Sequence, residues 1–136
     1  MDQILLIIGV SIFAILGATH LVYTFFTKKL NPYNEEVFTA MEGTSPRLTK
    51  ETTMWRAWVG FNASHSLGPM LLAAFYIPLA VNNFEIIKNS IWFSLLPVAV
   101  GVLYLVLAKT YWFKIPFMGV LISLACFVIS AWIINT

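Results

Sequence analysis

Long apolar stretches along the chain are separated by segments that hold almost all of the charged residues. Four stretches carry no charge, at residues 3–27, 57–84, 89–108 and 115–136. Each reaches the roughly 20 residues that an α-helix needs to cross a hydrocarbon core about 30 Å thick. None alternates between polar and apolar positions as a strand of a membrane barrel must. The pattern therefore predicts an all-α polytopic membrane protein, a four-helix transmembrane bundle.

The length of 136 residues is that of a single domain, and we predict one four-span transmembrane domain over residues 1–136. The first apolar run follows Met1-Asp2-Gln3, which lacks the basic leader of a secretory signal, so we expect it to be retained as a helix. The predicted spans are residues 4–26, 55–81, 91–108 and 117–134, with a cytoplasmic loop at residues 27–54.

The long first loop has helix signals of its own. Asn31 is a suitable cap before a short helix from Pro32 to Glu42, because proline is favoured at the first helical position. We expect this helix to lie along the membrane surface. Ser45-Pro46 repeats the cap signal, which predicts a helix that runs from Leu48 into the second span. The apolar stripe of the short helix consists of Tyr33, Val37 and Met41.

The composition and the distribution of charge narrow the setting. The chain is 60% hydrophobic and 10% charged, far from the balance of a water-soluble protein. A dispersed net charge of +2 does not suit nucleic acid, which needs a clustered basic face. The positive-inside rule places both termini on the non-cytoplasmic side. The cytoplasmic basic residues are then Lys28, Lys29, Arg47, Lys50, Arg56, Lys109 and Lys114, and only Lys88 lies opposite.

Small residues spaced by about one helical turn suggest where helices pack, because close backbone approach drives helix association in lipid. One predicted packing stripe lies on the second span and one on the fourth. The single cysteine belongs to the fourth span, so no intramolecular disulfide forms. The two stripes are Gly60, Ser64 and Gly68, and Gly119, Ser123, Cys126 and Ser130.

Both histidines fall inside predicted spans, where ionisable groups are costly and usually face the bundle interior. At ~1.5 Å per residue, His20 and His65 lie roughly 9 and 15 Å from the cytoplasmic edge, close enough for their side chains to meet. Asn62 shares a helical face with His65. We therefore predict a polar ligand-binding pocket lined by His20, Tyr23, Arg56, Trp58, Asn62, His65, Ser66 and Tyr104.

Four interpretations of this pocket stay open at the level of sequence. The polar groups could only fix helix register, or they could hold the head of a lipid, quinone or other amphipathic molecule. Two imidazoles at similar depth could ligate a b-type haem, with His20 and His65 as the iron ligands of an electron carrier. A histidine acid or base acting on lipid is also open, although no carboxylate is predicted at that depth to orient the imidazole.

Other chemistry finds less support. Two histidines without nearby Asp, Glu or Cys leave a divalent ion short of ligands, so no metal site is predicted outside the haem alternative. We expect binding rather than turnover, and the expected partners are membrane lipids, other membrane subunits or a second copy of the chain. A structural subunit of a larger membrane complex is the remaining alternative.

The run from Trp58 to Gly68 resembles the signature of a family of small four-helix bacterial membrane proteins with a GFNxSHSLG-type motif. The resemblance covers the whole chain and implies a bacterial inner-membrane location, but no activity. The span count also resembles the emopamil-binding sterol isomerase group. Those isomerases use acidic residues within their spans, and the predicted spans here contain none.

Overall fold

The structure is a computed structural model that describes all 136 residues. It is all-helical, as the sequence predicts. The chain forms six helices, of which four are long. In chain order they are α1 (Asp2–Phe26), α2 (Glu35–Gly43), α3 (Met54–Asn82), α4 (Phe84–Lys88), α5 (Ile91–Tyr111) and α6 (Lys114–Asn135).

The helices α1, α3, α5 and α6 are long and apolar enough to cross a membrane. Large hydrophobic side chains cover their outer surfaces, and Phe26 and Trp132 are among the most exposed. Apolar surface on this scale is unusual for a water-soluble protein, whereas lipid solvates it without cost. The chain is therefore a membrane protein, and its four spans agree with the predicted bundle.

Contacts divide the chain into two compact units, and both α1 and α3 contribute to each. The packed unit consists of Met1–Leu16 and Pro69–Thr136. The polar unit consists of Gly17–Gly68, which includes the end of α1, the first loop with α2, and the start of α3.

Aromatic side chains fill the interior of the packed unit. Phe13, Tyr76 and Phe127 are almost completely buried. The ring of Phe13 meets that of Phe127 edge-on at 5.6 Å between centroids, and that of Tyr104 at 5.4 Å. The hydroxyl of Tyr76 donates to the carbonyl of Phe93 over 2.9 Å. Aromatic edge contacts and satisfied polar groups thus join all four long helices in this unit.

Glycine permits the closest helix approach in the packed unit. A Cβ atom on Gly9 of α1 would overlap the ring of Phe127 on α6. A Cβ on Gly101 of α5 would lie 3.0 Å from Leu124 Cδ1, also on α6. These two glycines did not belong to either stripe predicted from the sequence. They let α1 and α5 approach the buried face of α6.

The small-residue stripe of α6 is confirmed as a packing surface. A Cβ on Gly119 would lie 2.8 Å from Leu16 Cδ1 of α1. Ser123 is fully buried, and Ser130 donates from its buried hydroxyl to the carbonyl of Asp2 over 2.8 Å. The half-buried Cys126 lies on the same side. Polar and small groups on α6 therefore pack against α1.

The corresponding prediction for α3 is wrong within this chain. Gly60, Ser64 and Gly68 are all exposed, and a Cβ on Gly60 would meet nothing within 4 Å. Regular spacing defines a helix face but not its direction, because the rotation of a helix is set by the elements packed around it. The exposed stripe of α3 faces outward.

Two helix starts in the polar unit differ from the prediction. The helix α2 begins at Glu35 rather than at Pro32, since the Asn34 side chain accepts from the amide of Glu36 over 2.8 Å and takes the capping role expected of Asn31. The segment from Leu48 is not helical. Its amide–carbonyl pairing closes a turn at residues 46–49 instead.

The helix α3 starts at Met54 because Thr53 caps it. Its hydroxyl accepts from the amide of Arg56 over 3.2 Å, and its carbonyl accepts from the amide of Ala57. The amide of Met54 donates to the carbonyl of Thr44 over 2.8 Å, which ties the end of α2 to the start of α3. The five-residue helix α4 was not predicted, since its single turn is too short to show a period.

Candidate binding site at the paired histidines

The end of α1 and the start of α3 bring His20 and Asn62 together inside the polar unit. The Nε2 atom of His20 lies 2.9 Å from Oδ1 of Asn62. Both side chains are half-buried. The contact joins residues 42 positions apart in the chain, and it was expected from membrane depth combined with helical spacing.

The amide of Asn62 orients the imidazole of His20. Its Nδ2 group donates to the carbonyl of Trp58 over 2.8 Å, one turn earlier in α3. Its Oδ1 atom can then only accept, so in the neutral imidazole of His20 the proton lies on Nε2. This tautomer leaves Nδ1 of His20 as an acceptor nitrogen. The asparagine therefore orients the imidazole and selects its tautomer.

The second histidine completes the pair. The ring centroids of His20 and His65 are 5.7 Å apart, and the ring planes meet at 80°. His65 lies about one turn after Asn62 on the same face of α3, and it is also half-buried. Two imidazoles and an amide thus form one contiguous polar cluster, which we call the histidine cluster (His20, Asn62 and His65).

Hydroxyl groups next to the histidine cluster donate to backbone carbonyls of its residues. The hydroxyl of Thr24 donates to the carbonyl of His20 over 2.8 Å. The hydroxyl of Ser66, which is almost fully buried, donates to the carbonyl of Asn62 over 2.8 Å. Ser66 was predicted as a pocket residue, and its hydroxyl bonds a backbone carbonyl of the cluster. Such local bonds satisfy hydroxyl groups at membrane depth without a partner helix.

Two predicted aromatic residues lie at the loop end of the polar unit. The indole Nε1 of Trp58 donates to the carbonyl of Leu30 over 3.0 Å, which holds the segment after α1 against α3. The ring of Tyr23 receives the ammonium group of Lys29, whose Nζ lies 4.2 Å from the ring centroid. Both aromatics therefore hold the loop in place.

The last two predicted residues lie at the start of α3 and in the packed unit. Arg56 is exposed at the start of α3, and its guanidinium forms no ion pair. Tyr104 belongs to the packed unit, where its ring contacts Phe13 and Trp112 at 5.4 and 6.1 Å between centroids. Of the predicted pocket residues, the structure thus brings His20, Asn62 and His65 together within the polar unit.

The chemistry open to the histidine cluster is that of hydrogen bonding. It offers imidazole and amide groups, with no acidic side chain among its members. No group of three or more His, Cys, Asp or Glu side chains is close enough to hold a metal ion. The arrangement suits a neutral polar head, such as a hydroxyl, which both donates and accepts, or a carbonyl, which accepts.

A second polar feature of this unit was missed from the sequence. Residues after α1 line a cleft of about 470 Å³ in the first loop, and two lysines and an asparagine belong to its wall. The signal available was the pair Lys28-Lys29 directly after the apolar run, followed by Asn31. From the sequence, these residues indicated only the topology, because the formation of a cleft depends on the conformation of the loop.

Comparisons with models of protein families, with curated proteins and with solved structures find no match to this chain. The resemblance carried by residues 58–68 therefore stays a prediction.

Proposed function

We propose that this protein binds an amphipathic small molecule, such as a lipid or a quinone, in the bacterial inner membrane through His20, Asn62 and His65. We also propose that both termini face the non-cytoplasmic side of the membrane. The observation that carries the proposal is the contact of two imidazoles and an amide between two apolar spans, α1 and α3. Polar groups at membrane depth usually mark a functional pathway or site.

Partial exposure of the histidine cluster supports binding over a purely structural role. A polar cluster that only fixed helix register would gain from complete burial, because water and lipid heads then could not compete for its bonds. All three members of the cluster are instead half-buried, whereas Ser66 beside them is almost completely buried. The cluster is accessible to a ligand that enters from its exposed side.

A b-type haem fits the observed geometry less well. Iron would have to lie between ring nitrogens of His20 and His65, with the macrocycle in the space between the rings. Those rings contact each other edge-on at 5.7 Å, and Nε2 of His20 is engaged by Asn62. Haem binding would require α1 and α3 to separate and the asparagine bond to break.

The test is to purify the protein in mild detergent and identify retained small molecules by mass spectrometry of a solvent extract. We expect a lipid or quinone in the wild type that is lost from His65→Ala. Ser64→Ala is the matched control, because its hydroxyl is exposed and bonds only the carbonyl of Phe61 in its own helix. Equal extracts from all three proteins would refute the proposal.

An absorbance spectrum of the same sample tests the haem alternative. A Soret band that disappears in both His20→Ala and His65→Ala would establish haem ligation by the two histidines in place of lipid or quinone binding. A colourless protein that keeps its extracted ligand supports the proposal.

A subunit role is a second candidate, and the outward-facing stripe of α3 favours it. Gly60 and Ser64 are exposed in the single chain, and small residues on a lipid-facing surface allow close approach of another helix. Size measurement in mild detergent, with Gly60→Leu as the disrupting variant, tests it. A single-chain mass for the wild type would rule this role out.

A further inference from the structure

The first loop contains a cleft at the end of α1 that the histidine cluster does not use. Its volume is about 470 Å³, within the range of small-molecule pockets. Lys28, Lys29 and Asn31 contribute polar groups, while Tyr33 and Phe38 add aromatic walls. The cleft therefore combines cationic and hydrogen-bonding groups with an apolar surface.

The charges of the cleft favour an anion. Lys28 and Lys29 are exposed, and neither forms an ion pair with Glu35, the one carboxylate in the wall. The wall thus contains two lysines and one glutamate, which leaves it with a net positive charge. The Nζ atom of Lys29 is held 4.2 Å from the centroid of the Tyr23 ring, which orders this lysine but leaves its charge unneutralised.

The position of the cleft along the chain favours a lipid headgroup over a dissolved anion. It follows directly after Phe25 and Phe26, whose side chains are exposed at the last turn of α1. An apolar span ends where the hydrocarbon core meets the headgroups, so the last turn of α1 lies at that level. The adjacent lysines then lie at the depth of the phosphate groups.

The wall of the cleft is held by contacts on both sides. Trp58 donates to the carbonyl of Leu30 over 3.0 Å, and the ring of Phe38 meets that of Trp55 edge-on at 4.8 Å. The first contact fixes the chain after α1, and the second fixes α2, both against α3. The cleft is therefore a built feature of the polar unit.

We propose that Lys28, Lys29 and Asn31 bind the phosphate-bearing headgroup of an anionic phospholipid. The lysines neutralise the phosphate as juxtamembrane basic residues do at an anionic leaflet. The Asn31 amide bonds a headgroup hydroxyl, and the acyl chains lie along the exposed phenylalanines of α1. This site is separate from the histidine cluster and does not depend on the ligand proposed there.

Native mass spectrometry in micelles that contain phosphatidylglycerol and phosphatidylcholine tests this site. The wild type should bind one phosphatidylglycerol in preference to phosphatidylcholine. Lys28→Gln combined with Lys29→Gln should weaken that binding about 30-fold, because each basic residue near a membrane surface contributes roughly a fivefold preference. The charge-conserving pair Lys28→Arg and Lys29→Arg should retain it.

The matched control is Lys109→Gln combined with Lys114→Gln, which removes the same charge at the other predicted cytoplasmic connection. Equal losses in the two double variants, or no preference for phosphatidylglycerol in the wild type, would overturn the proposal. Competition by millimolar-range glycerol phosphate would assign the cleft to a soluble phosphate and overturn the lipid assignment.

Amine labelling of the wild type gives a test that does not depend on variant folding. Phosphatidylglycerol should slow the modification of Lys28 and Lys29, while that of Lys109 and Lys114 stays as it is in phosphatidylcholine alone. Equal protection of all four lysines would show general surface attraction and would contradict a specific site.

Discussion

The packed unit and the polar unit use the same kinds of helix for different purposes. In the packed unit, buried aromatic and aliphatic side chains meet across helices, with Phe13, Tyr76 and Phe127 at the centre. In the polar unit, only Gly17 and Ser66 are buried, and hydrogen bonds join its helices and loop. Stability is therefore concentrated in the first unit, and accessible chemistry in the second.

The largest expected effect would break the packed unit. Gly9→Leu should lower the free energy of unfolding by about 3 kcal/mol, because the new side chain overlaps the ring of Phe127, which is itself buried against Phe13 and cannot move aside. Reversible unfolding in mixed detergent measures it. Gly60→Leu is the control, and it should leave monomer stability within about 0.5 kcal/mol. Similar losses in both variants would contradict the assignment of the buried faces.

The next effect separates function from stability. Asn62→Leu removes the bonds to His20 and to the Trp58 carbonyl, so the imidazole loses its orientation. We expect stability to fall by only about 1 kcal/mol, while the retained ligand falls several-fold. Ligand content by mass spectrometry, read beside an unfolding curve, gives both values.

Asn135→Leu is the matched control for that variant. Its amide donates to the Ser94 hydroxyl and the Ala131 carbonyl within the packed unit. It should cost similar stability and leave ligand content unchanged. Ligand loss in Asn135→Leu equal to that in Asn62→Leu would mean that the histidine cluster has no specific role.

A smaller effect tests the polar contacts of the packed interior. Tyr76→Phe removes one buried hydroxyl and leaves the Phe93 carbonyl without that donor. The expected loss is about 0.6 kcal/mol, typical of hydrogen bonds between helices in membranes. An unfolding curve measures it, and ligand content should not change. An unchanged curve would show that packing alone holds this contact.

The smallest effect is confined to the first loop. Trp58→Phe keeps the aromatic ring but removes the N–H bond to Leu30, so the segment after α1 loses one anchor. Global stability should change by less than about 0.5 kcal/mol. Amide exchange should rise at residues 27–34 and stay constant in α6. Equal exchange in both proteins would show that the anchor is not needed.

Much of the architecture could be predicted because the summed hydropathy of consecutive residues identifies a membrane span. All four spans were found, and the observed helices extend the predicted boundaries by a few residues at most ends. The contact of His20 with Asn62 also followed, since depth in the membrane and helical phase together restrict two side chains. Local rules fell short at helix starts, where Asn34 and Thr53 compete with other good caps nearby.

The sequence by itself determined that four apolar segments become helices and that two histidines lie at similar depth. Only the tertiary structure decided which faces of those helices meet: Gly9 and Gly101 face α6, while Gly60 faces outward. It also decided that Lys28 and Lys29 border a cleft. The physical reason is that helix formation is local, whereas helix rotation and loop shape depend on packing between residues far apart in the chain.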